Sequence, residues 1–245
     1  DIQMAAPSLS KFEKFTKKYR VFDLPFLFDN IEAVDRFQRS ETGIKLKQAM
    51  VRRGLTGLAF WHNGMKQLSA NRPLILPADA EGLKFRVQSS DVLVAQFTTL
   101  GANPQKMAFK EVYGGLQTDV IDGQENTWSN IYGKKFFEVQ NGITETNHGV
   151  IDYLLVTSSE WWNSLDTGTR ERLQAIIDEV TEERNLESHR INLQNRENII
   201  ASGGVVRTLT AEQRAQWVSV LQPVWSKFEN DIGSDVIAAA ISAND

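Results

Sequence analysis

The segment 83–130 begins with LKFRVQ and ends with GGLQTDVIDGQENTWSN, and it carries the features that decide the fold. Arg86 lies between Phe85 and Val87, so a strand would place its side chain on the face opposite both apolar neighbours. A guanidinium is always charged, and its planar fork fits a carboxylate bidentately. Asn126 follows a Gly-Gln-Glu turn that leads toward a helix. These two polar side chains predict a site that holds an organic anion.

The composition excludes several classes of function. The chain has 245 residues, of which 41% are hydrophobic and 24% are charged, as expected for a folded protein with a large core. A formal net charge of −4 gives no support for a nucleic-acid partner. No apolar run reaches the roughly 20 residues that span a bilayer, so we expect a chain that is not inserted in a membrane. The absence of cysteine excludes disulfides, thiolate metal ligands and a cysteine nucleophile.

The predicted elements alternate between strands and helices, which indicates an α/β fold. Strands are predicted over residues 2–5, 55–61, 67–70, 83–88, 120–122 and 151–157. Helices are predicted over residues 31–37, 41–53, 91–100, 109–117 and 166–201. At about 1.5 Å per residue, the last helix is about 50 Å long. It is either a surface helix with a charged middle or a helix that braces two lobes.

Catalytic chemistry is hard to assemble from this sequence. The histidines are His62, His148 and His189. No two of them have the i, i+4 spacing of metal ligands on a helix, and no nucleophile elbow, phosphate loop or dinucleotide motif is present. Asp119, Asp122 and Glu125 are interpreted as turn and helix-terminus charges rather than as paired catalytic carboxylates or a cation site. We therefore predict no enzyme activity, no metal and no cofactor.

The segment 83–132 closely resembles the solute receptors of tripartite ATP-independent periplasmic (TRAP) transporters, the DctP family. The strings GLKFRV, MAFKEVY and DGQEN carry the resemblance at their spacing in this chain. It continues through DIQMAAPSLSKF, FDLPFLF, GLTGLAFWHNGMKQLSANRPL and NHGVIDYLLVTSSEWW. The resemblance therefore covers essentially the whole sequence.

This resemblance implies an α/β, two-lobe periplasmic-binding-protein-like fold with hinge strands and a long helix that braces both lobes. Residues 1–63 and 152–191 are expected to form lobe I, and residues 64–151 and 192–245 are expected to form lobe II. Family members carry further residues before the first strand of this sequence. We therefore expect lobe I to be N-terminally incomplete and a signal peptide to have been removed.

The resemblance also implies roles for individual residues. Arg86 matches the arginine that clamps the ligand carboxylate, and Asn126 matches the asparagine that hydrogen-bonds the same carboxylate. Lys66 aligns with a second basic contact, Phe109 with an aromatic wall of the cleft, and Tyr153 with a polar contact from the other lobe. Lys66 has an alternative interpretation as a solvated lysine.

Further contacts are expected around the far end of the ligand. The additional candidates are Ser8, Trp61, His62, Asn63 and Trp128. Ser8 would donate its hydroxyl, and His62 and Asn63 would contact a distal carboxylate. Trp61 and Trp128 are either ligand walls or core packing, and His62 is equally well interpreted as a satisfied loop histidine.

The function implied by the resemblance is that of a receptor in the periplasm. Such a receptor binds a small organic acid between its lobes and delivers it to TRAP membrane permease subunits. The NTWSN form of the motif is most similar to members that take four-carbon dicarboxylates such as malate, succinate or fumarate. A receptor for a keto acid, monocarboxylate or sugar acid remains an alternative, as does an α/β enzyme acting on a carboxylated substrate.

Overall fold

Two sheets organise the part of the chain that the computed structural model describes, residues 2–245. The strands within those residues are β1 (Met4–Ala5), β2 (Leu55–Met65), β3 (Gln67–Ala70), β4 (Lys84–Val87), β5 (Asn103–Lys106), β6 (Gly123–Asn126), β7 (Gly142–Glu145), β8 (Val150–Ser158) and β9 (Val206–Thr208). The first sheet has the order β1-β8-β2, and the second has the order β5-β4-β6-β3-β7-β9.

The first sheet is antiparallel and centres on the long pair β2 and β8. Leu154 and Leu155 are adjacent in β8 and pack into two different hydrophobic clusters, because successive side chains point to opposite faces of a sheet. This explains why most positions of the strand are apolar. The β2–β8 register shifts between His62 and Gly64, and Gly64 adopts a φ of 152° that an L-residue rarely takes.

The second sheet is mixed. Strand β4 runs parallel to both β5 and β6, whereas β3 runs antiparallel to β6 and β7. Phe85 and Val87 are fully buried in one hydrophobic cluster, as the period of a strand requires. Arg86 is directed to the other face, and its register partners are Gln105 on β5 and Gln124 on β6.

Helices cover the sheets, and several begin at residues that the sequence marks clearly. They are α1 (Ile31–Arg39), α2 (Glu41–Lys47), α3 (Asp91–Thr99), α4 (Val112–Gln117), α5 (Trp128–Gly133), α6 (Ser159–Ser164), α7 (Thr167–Ala201), α8 (Ala211–Leu221), α9 (Val224–Ile232) and α10 (Ser234–Ser242). The side chains of Asn30, Ser90 and Asp166 accept hydrogen bonds from first-turn N–H groups of α1, α3 and α7. Such N-caps fix where a helix starts.

Helix α7 is a brace that packs on both lobes. Near its N-terminal end, Ile177 packs with Leu155 of the first sheet. Near its C-terminal end, Ile199 packs in the cluster that contains Ile143 of the second sheet. The helix has 35 residues, which corresponds to roughly 50 Å. The prediction of one long helix that braces two lobes is confirmed.

Two of the places where the chain crosses between the lobes lie side by side. Only Lys66 separates β2 of the first sheet from β3 of the second. The return crossing runs from β7 to β8 and includes Gly149. The Lys66 N–H donates a 2.7 Å hydrogen bond to the Gly149 carbonyl, which joins the two crossings. The fold is therefore the predicted two-lobe architecture with hinge strands.

The C-terminal helices divide between the two lobes. Trp217 and Leu221 of α8 pack with the second sheet, in the cluster that contains Phe85. By contrast, Val224 and Ile237 of α9 and α10 share a core with the helices of the first lobe. This packing departs from the expected assignment of all of 192–245 to lobe II. We propose that residues 224–242 belong to lobe I, because their apolar faces are buried there.

Two predicted elements were wrong in detail. The strand predicted over 120–122 is a turn that contains Asp119 at a φ of 57°, and the strand begins instead at Gly123. The single helix predicted over 41–53 ends at Lys47 and is followed by a short 3-10 turn. That turn is terminated by Gly54 in the left-handed conformation.

Candidate ligand-binding site

Arg86 is a buried cation without a carboxylate partner among residues 2–245. Its side chain comes from β4, and only 2% of the residue is exposed. Nε donates a 3.0 Å hydrogen bond to the Met107 carbonyl, and the guanidinium carbon lies 5.9 Å from the centre of the Phe109 ring. Burial lowers the pKa of Arg86, partly offset by Glu125, yet an arginine remains protonated at neutral pH. Its two terminal nitrogens are thus available to an anion.

A cavity of about 600 Å³ lies in front of this guanidinium. Arg86, Gln88 and Phe109 contribute from the second lobe. Lys11 and Lys14 contribute from the loop that follows β1. The cavity therefore lies between segments of both lobes and is bordered by several cations, by the Glu13 carboxylate and by one aromatic ring.

Asn126 lies on the same face of the second sheet as Arg86. The register pairs Arg86 with Gln124, and Asn126 follows two residues later on β6, so both side chains face one side. Asn126 Oδ1 accepts hydrogen bonds from the Thr127 N–H and from Asn130 Nδ2, at 3.2 and 2.8 Å. Its Nδ2 donates to none of the residues that the structure describes. That donor is free for a carboxylate oxygen.

Lys66 occupies a different environment from the one expected of a solvated lysine. Its Nζ lies 2.7 Å from Glu125 Oε1, and both side chains are about 2% exposed. Glu125 Oε2 lies 2.7 Å from His148 Nε2, and His148 Nδ1 lies 2.7 Å from the Thr146 hydroxyl. The interpretation of Lys66 as a surface lysine is wrong. Its role as a second ligand contact remains a prediction, in which the ligand would share the ammonium with Glu125.

His62 is part of a second buried network at the register shift of β2. Nδ1 lies 2.7 Å from Asp152 Oδ2, and Nε2 lies 3.3 Å from Asp35 Oδ1. Gln38 Nε2 also donates to Asp152 Oδ2, at 2.7 Å. Burial opposes a charge on His62, but the two carboxylates outweigh it and raise the pKa to about 10. The ring borders a cavity between α1 and α7 rather than the cavity at Arg86.

Asn63 of β2 and Tyr153 of β8 contact each other. Asn63 Nδ2 donates to the Tyr153 hydroxyl oxygen at 2.5 Å, and Asn63 Oδ1 accepts from the Ser129 hydroxyl at 2.9 Å. Asn192 of α7 donates to the Asn63 carbonyl and accepts from the Ser129 N–H. This set of polar groups connects both lobes to the bracing helix.

The remaining candidates divide between cavity and core. Ser8 is buried, and its hydroxyl donates to Gln88 Oε1 at 3.2 Å, beside the cavity that Arg86 borders. Trp61 packs against the cluster that contains Leu155 and donates from Nε1 to the Thr181 hydroxyl, which places it against α7. Trp128 is buried in the core of the second lobe. The packing interpretation therefore suits both tryptophans.

The acidic partners of both networks were missed as site residues from the sequence. Glu125 was interpreted as a turn charge, although it pairs with Lys66 and His148 inside the second lobe. The feature that identifies Glu125 as the partner of Lys66 is the pairing of β3 with β6. This pairing places Glu125 beside Leu68, two residues after Lys66. Asp152 is opposite His62 in the β2–β8 register, and this register likewise identifies the pair.

Two further classes of site are not found within the described part of the chain. Residues 2–245 contain no cluster of three or more His, Cys, Asp or Glu side chains that could hold a metal ion. None of the helices in that range combines the length and the apolar character needed to cross a membrane.

Proteins similar to this chain include a curated relative named as a C4-dicarboxylate-binding protein and solved structures with a bound dicarboxylate. The chain is 68% identical over 244 residues to the C4-dicarboxylate-binding periplasmic protein DctP of Vibrio cholerae, covering 100% of this chain and 74% of that protein. A TRAP periplasmic solute binding protein from Shewanella oneidensis with bound succinate superposes with a TM-score of 0.98 at 52% identity, covering 100% of this chain and 81% of that one.

A second solved structure is also similar. It is a TRAP periplasmic solute binding protein from Pseudomonas aeruginosa with bound L-malate. Its TM-score is 0.90 at 47% identity, covering 92% of this chain and 79% of that one. The family model of DctP, described as bacterial extracellular solute-binding protein, family 7, matches residues 1–231. The chain therefore belongs to the DctP family of solute-binding proteins.

Proposed function

We propose that this receptor binds a four-carbon dicarboxylate such as succinate, malate or fumarate in the cleft between its lobes. The observation that carries the proposal is the Arg86 guanidinium, which is buried, charged and without a carboxylate partner among residues 2–245. A buried charge is stable when an opposite charge and hydrogen bonds satisfy it. A ligand carboxylate supplies both, and the guanidinium fork holds it bidentately.

The remaining contacts fit the same ligand. Asn126 Nδ2 would donate to the carboxylate that Arg86 holds, since both side chains face one side of the sheet. Phe109, which lies beside the guanidinium, would cover the carbon chain. The relatives with bound succinate and L-malate support a ligand of this size.

We further propose that the receptor works in the periplasm and delivers its ligand to TRAP membrane permease subunits. The names of the similar proteins, which describe periplasmic solute-binding proteins, support this location. Delivery requires that the cleft open again, and two lobes joined by hinge strands permit such a movement.

A receptor for a different carboxylate is the alternative, because Arg86 and Asn126 by themselves hold only one carboxylate. Isothermal titration calorimetry separates the candidates. The ligands are succinate, L-malate and fumarate, with butyrate as a monocarboxylate of equal chain length and galactonate as a sugar acid. We expect the dicarboxylates to bind at least about 100-fold more tightly than butyrate, since a desolvated charge contact contributes about 2–5 kcal/mol.

The same titration with Arg86→Ala tests the clamp. We expect affinity for succinate to fall by about 100-fold or more, because the variant removes the bidentate donor. Arg72→Ala is the matched control, since the Arg72 guanidinium donates to the backbone carbonyls of Asp79 and Glu81 at the surface. Equal succinate affinity in wild type and Arg86→Ala would rule out the clamp. Tight galactonate binding with no dicarboxylate binding would favour the alternative.

A further inference from the structure

Two lysines at the mouth of the Arg86 cavity carry charges that the fold does not neutralise. Lys11 lies in the last turn of the short 3-10 helix Leu9–Phe12, and Lys14 lies in the turn that follows this helix. Both side chains are exposed and border the cavity. Neither forms an ion pair with any of residues 2–245. We name Lys11 and Lys14 the capture rim.

The other charges at this mouth are balanced. The Glu13 carboxylate accepts from Arg20 Nε at 2.6 Å, and Lys106 Nζ lies 2.9 Å from Asp91 Oδ1. Arg20 also lies 3.0 Å from the same Asp91 carboxylate and 2.5 Å from Asp231, which Lys17 approaches at 3.1 Å. These six side chains carry three positive and three negative charges, so their fields largely cancel. The capture rim and Arg86 are left as the net positive charge of the cavity.

We propose that the capture rim attracts dianionic ligands to the cleft and sets their association rate, while Arg86 holds them. The proposal rests on the function proposed above and adds two residues to it. Charges that line a cleft with low-dielectric walls focus the field and raise association rates by about 10–10³-fold. A dicarboxylate experiences twice the attraction of a monocarboxylate, so the capture rim favours ligands with two charges in the association step.

The kinetic signature separates attraction from contact. An exposed lysine that acts at a distance changes the association rate constant and its dependence on salt, whereas a group that contacts the bound ligand changes the dissociation rate constant. At an ionic strength of about 0.01 M the Debye length is about 30 Å, and at 0.15 M it is about 8 Å. The effect of the capture rim is therefore largest at low salt.

Stopped-flow tryptophan fluorescence with succinate measures both rate constants across this range of ionic strength. We expect the double variant Lys11→Gln/Lys14→Gln to associate roughly ten-fold more slowly at about 0.01 M and about two-fold more slowly at 0.15 M. Its dissociation rate constant should stay within about two-fold of wild type. Lys11→Arg/Lys14→Arg retains both charges and should associate at the wild-type rate.

The control variant Lys227→Gln/Arg172→Gln removes the same net charge from exposed positions outside the cavity and should leave both rate constants unchanged. Normal association in Lys11→Gln/Lys14→Gln overturns the capture rim while leaving the clamp intact. A faster dissociation with unchanged association also overturns it, because it shows direct contact. A wild-type protein that binds no dicarboxylate overturns the proposed function itself.

Discussion

The Lys66 ammonium lies 2.7 Å from Glu125 Oε1, and neither side chain is more than about 2% exposed. Burial raises the pKa of Glu125, but Lys66 and His148 outweigh burial and hold it at about 2. Burial also lowers the pKa of His148, in spite of the neighbouring carboxylate. At neutral pH the network therefore contains one cation, one anion and a neutral imidazole.

Breaking this pair from one side should strongly destabilise the fold. Lys66→Met leaves a buried carboxylate without its cation, so we expect the free energy of unfolding to fall by about 3–5 kcal/mol. Urea denaturation measures this free energy. The double variant Lys66→Met/Glu125→Gln removes both charges and should recover much of the loss. Lys45→Met at the exposed Glu41 pair is the control and should unfold as wild type does. Equal effects at the two lysines would contradict this prediction.

Acidic pH should remove the contribution of the Glu125 carboxylate to the stability of the folded protein. Its folded-state pKa of about 2 is lower than the unfolded-state pKa of about 4.3, so the carboxylate stabilises the folded protein above the unfolded value. That contribution decreases as the pH falls from about 4.3 through 2. The difference in unfolding free energy between wild type and Glu125→Gln, measured from pH 2 to 6, should therefore shrink toward acid. A difference that stays constant would show that the carboxylate is not selectively stabilised in the folded state.

Alkaline pH should weaken the His62 network instead. Burial alone would lower the pKa of His62, but Asp152 and Asp35 raise it to about 10, above the unfolded value of about 6.5. The protonated ring therefore stabilises the fold fully below pH 6.5, and this contribution is lost as the pH rises through 10. Nitrogen NMR of the imidazole should show a doubly protonated ring at pH 8. A neutral ring at that pH would contradict the prediction, and His62→Gln identifies the resonance.

Asn126→Asp should strongly weaken ligand binding without unfolding the protein. The new carboxylate keeps the acceptor that the Thr127 N–H and Asn130 Nδ2 use, so the turn into α5 is preserved. It replaces the free Nδ2 donor with a negative charge facing the ligand, and we expect succinate affinity to fall by about 100-fold or more. Calorimetry checks the binding and circular dichroism checks the fold. Unchanged affinity would show that Asn126 only stabilises the turn.

Gly64→Ala should disturb the contact between β2 and α7. The glycine has a φ of 152°, and an added Cβ would lie 2.9 Å from Asn192 Nδ2. We expect a loss of about 1–3 kcal/mol in the free energy of unfolding, measured by urea denaturation. Gly114→Ala in α4 is the control, because its Cβ would meet nothing within 4 Å and should be neutral or stabilising. Equal stability of the two variants would contradict this account of Gly64.

Local patterns in the sequence predicted much of this fold. The alternation around Arg86 placed its side chain opposite Phe85 and Val87, because a strand has a period of two. The long helix predicted over residues 166–201 is α7, because the helical pattern lies within the segment itself. The resemblance to the DctP family implied that Arg86 and Phe109 belong to one ligand site. In the structure both residues border the same cavity.

Relationships between distant segments could not be predicted in this way. Lys66 and Glu125 are 59 residues apart, and only the register of β3 with β6 brings them together. The return of α9 and α10 to the first lobe has no local signature either, since an apolar helix face does not specify which core covers it. Weak strands such as β5 and β9 form because neighbouring strands offer them hydrogen bonds, and their own sequences do not mark them.

The hydrogen bond from Lys66 to Gly149 has a mechanical consequence. The bond joins two neighbouring crossings at one level, so both crossings form one junction between the lobes. A Cβ on Gly149 would lie 2.7 Å from Lys66 Cε, so the two crossings are also in close contact. We therefore expect the lobes to move by a hinge rotation about an axis through this junction, and not to slide past one another.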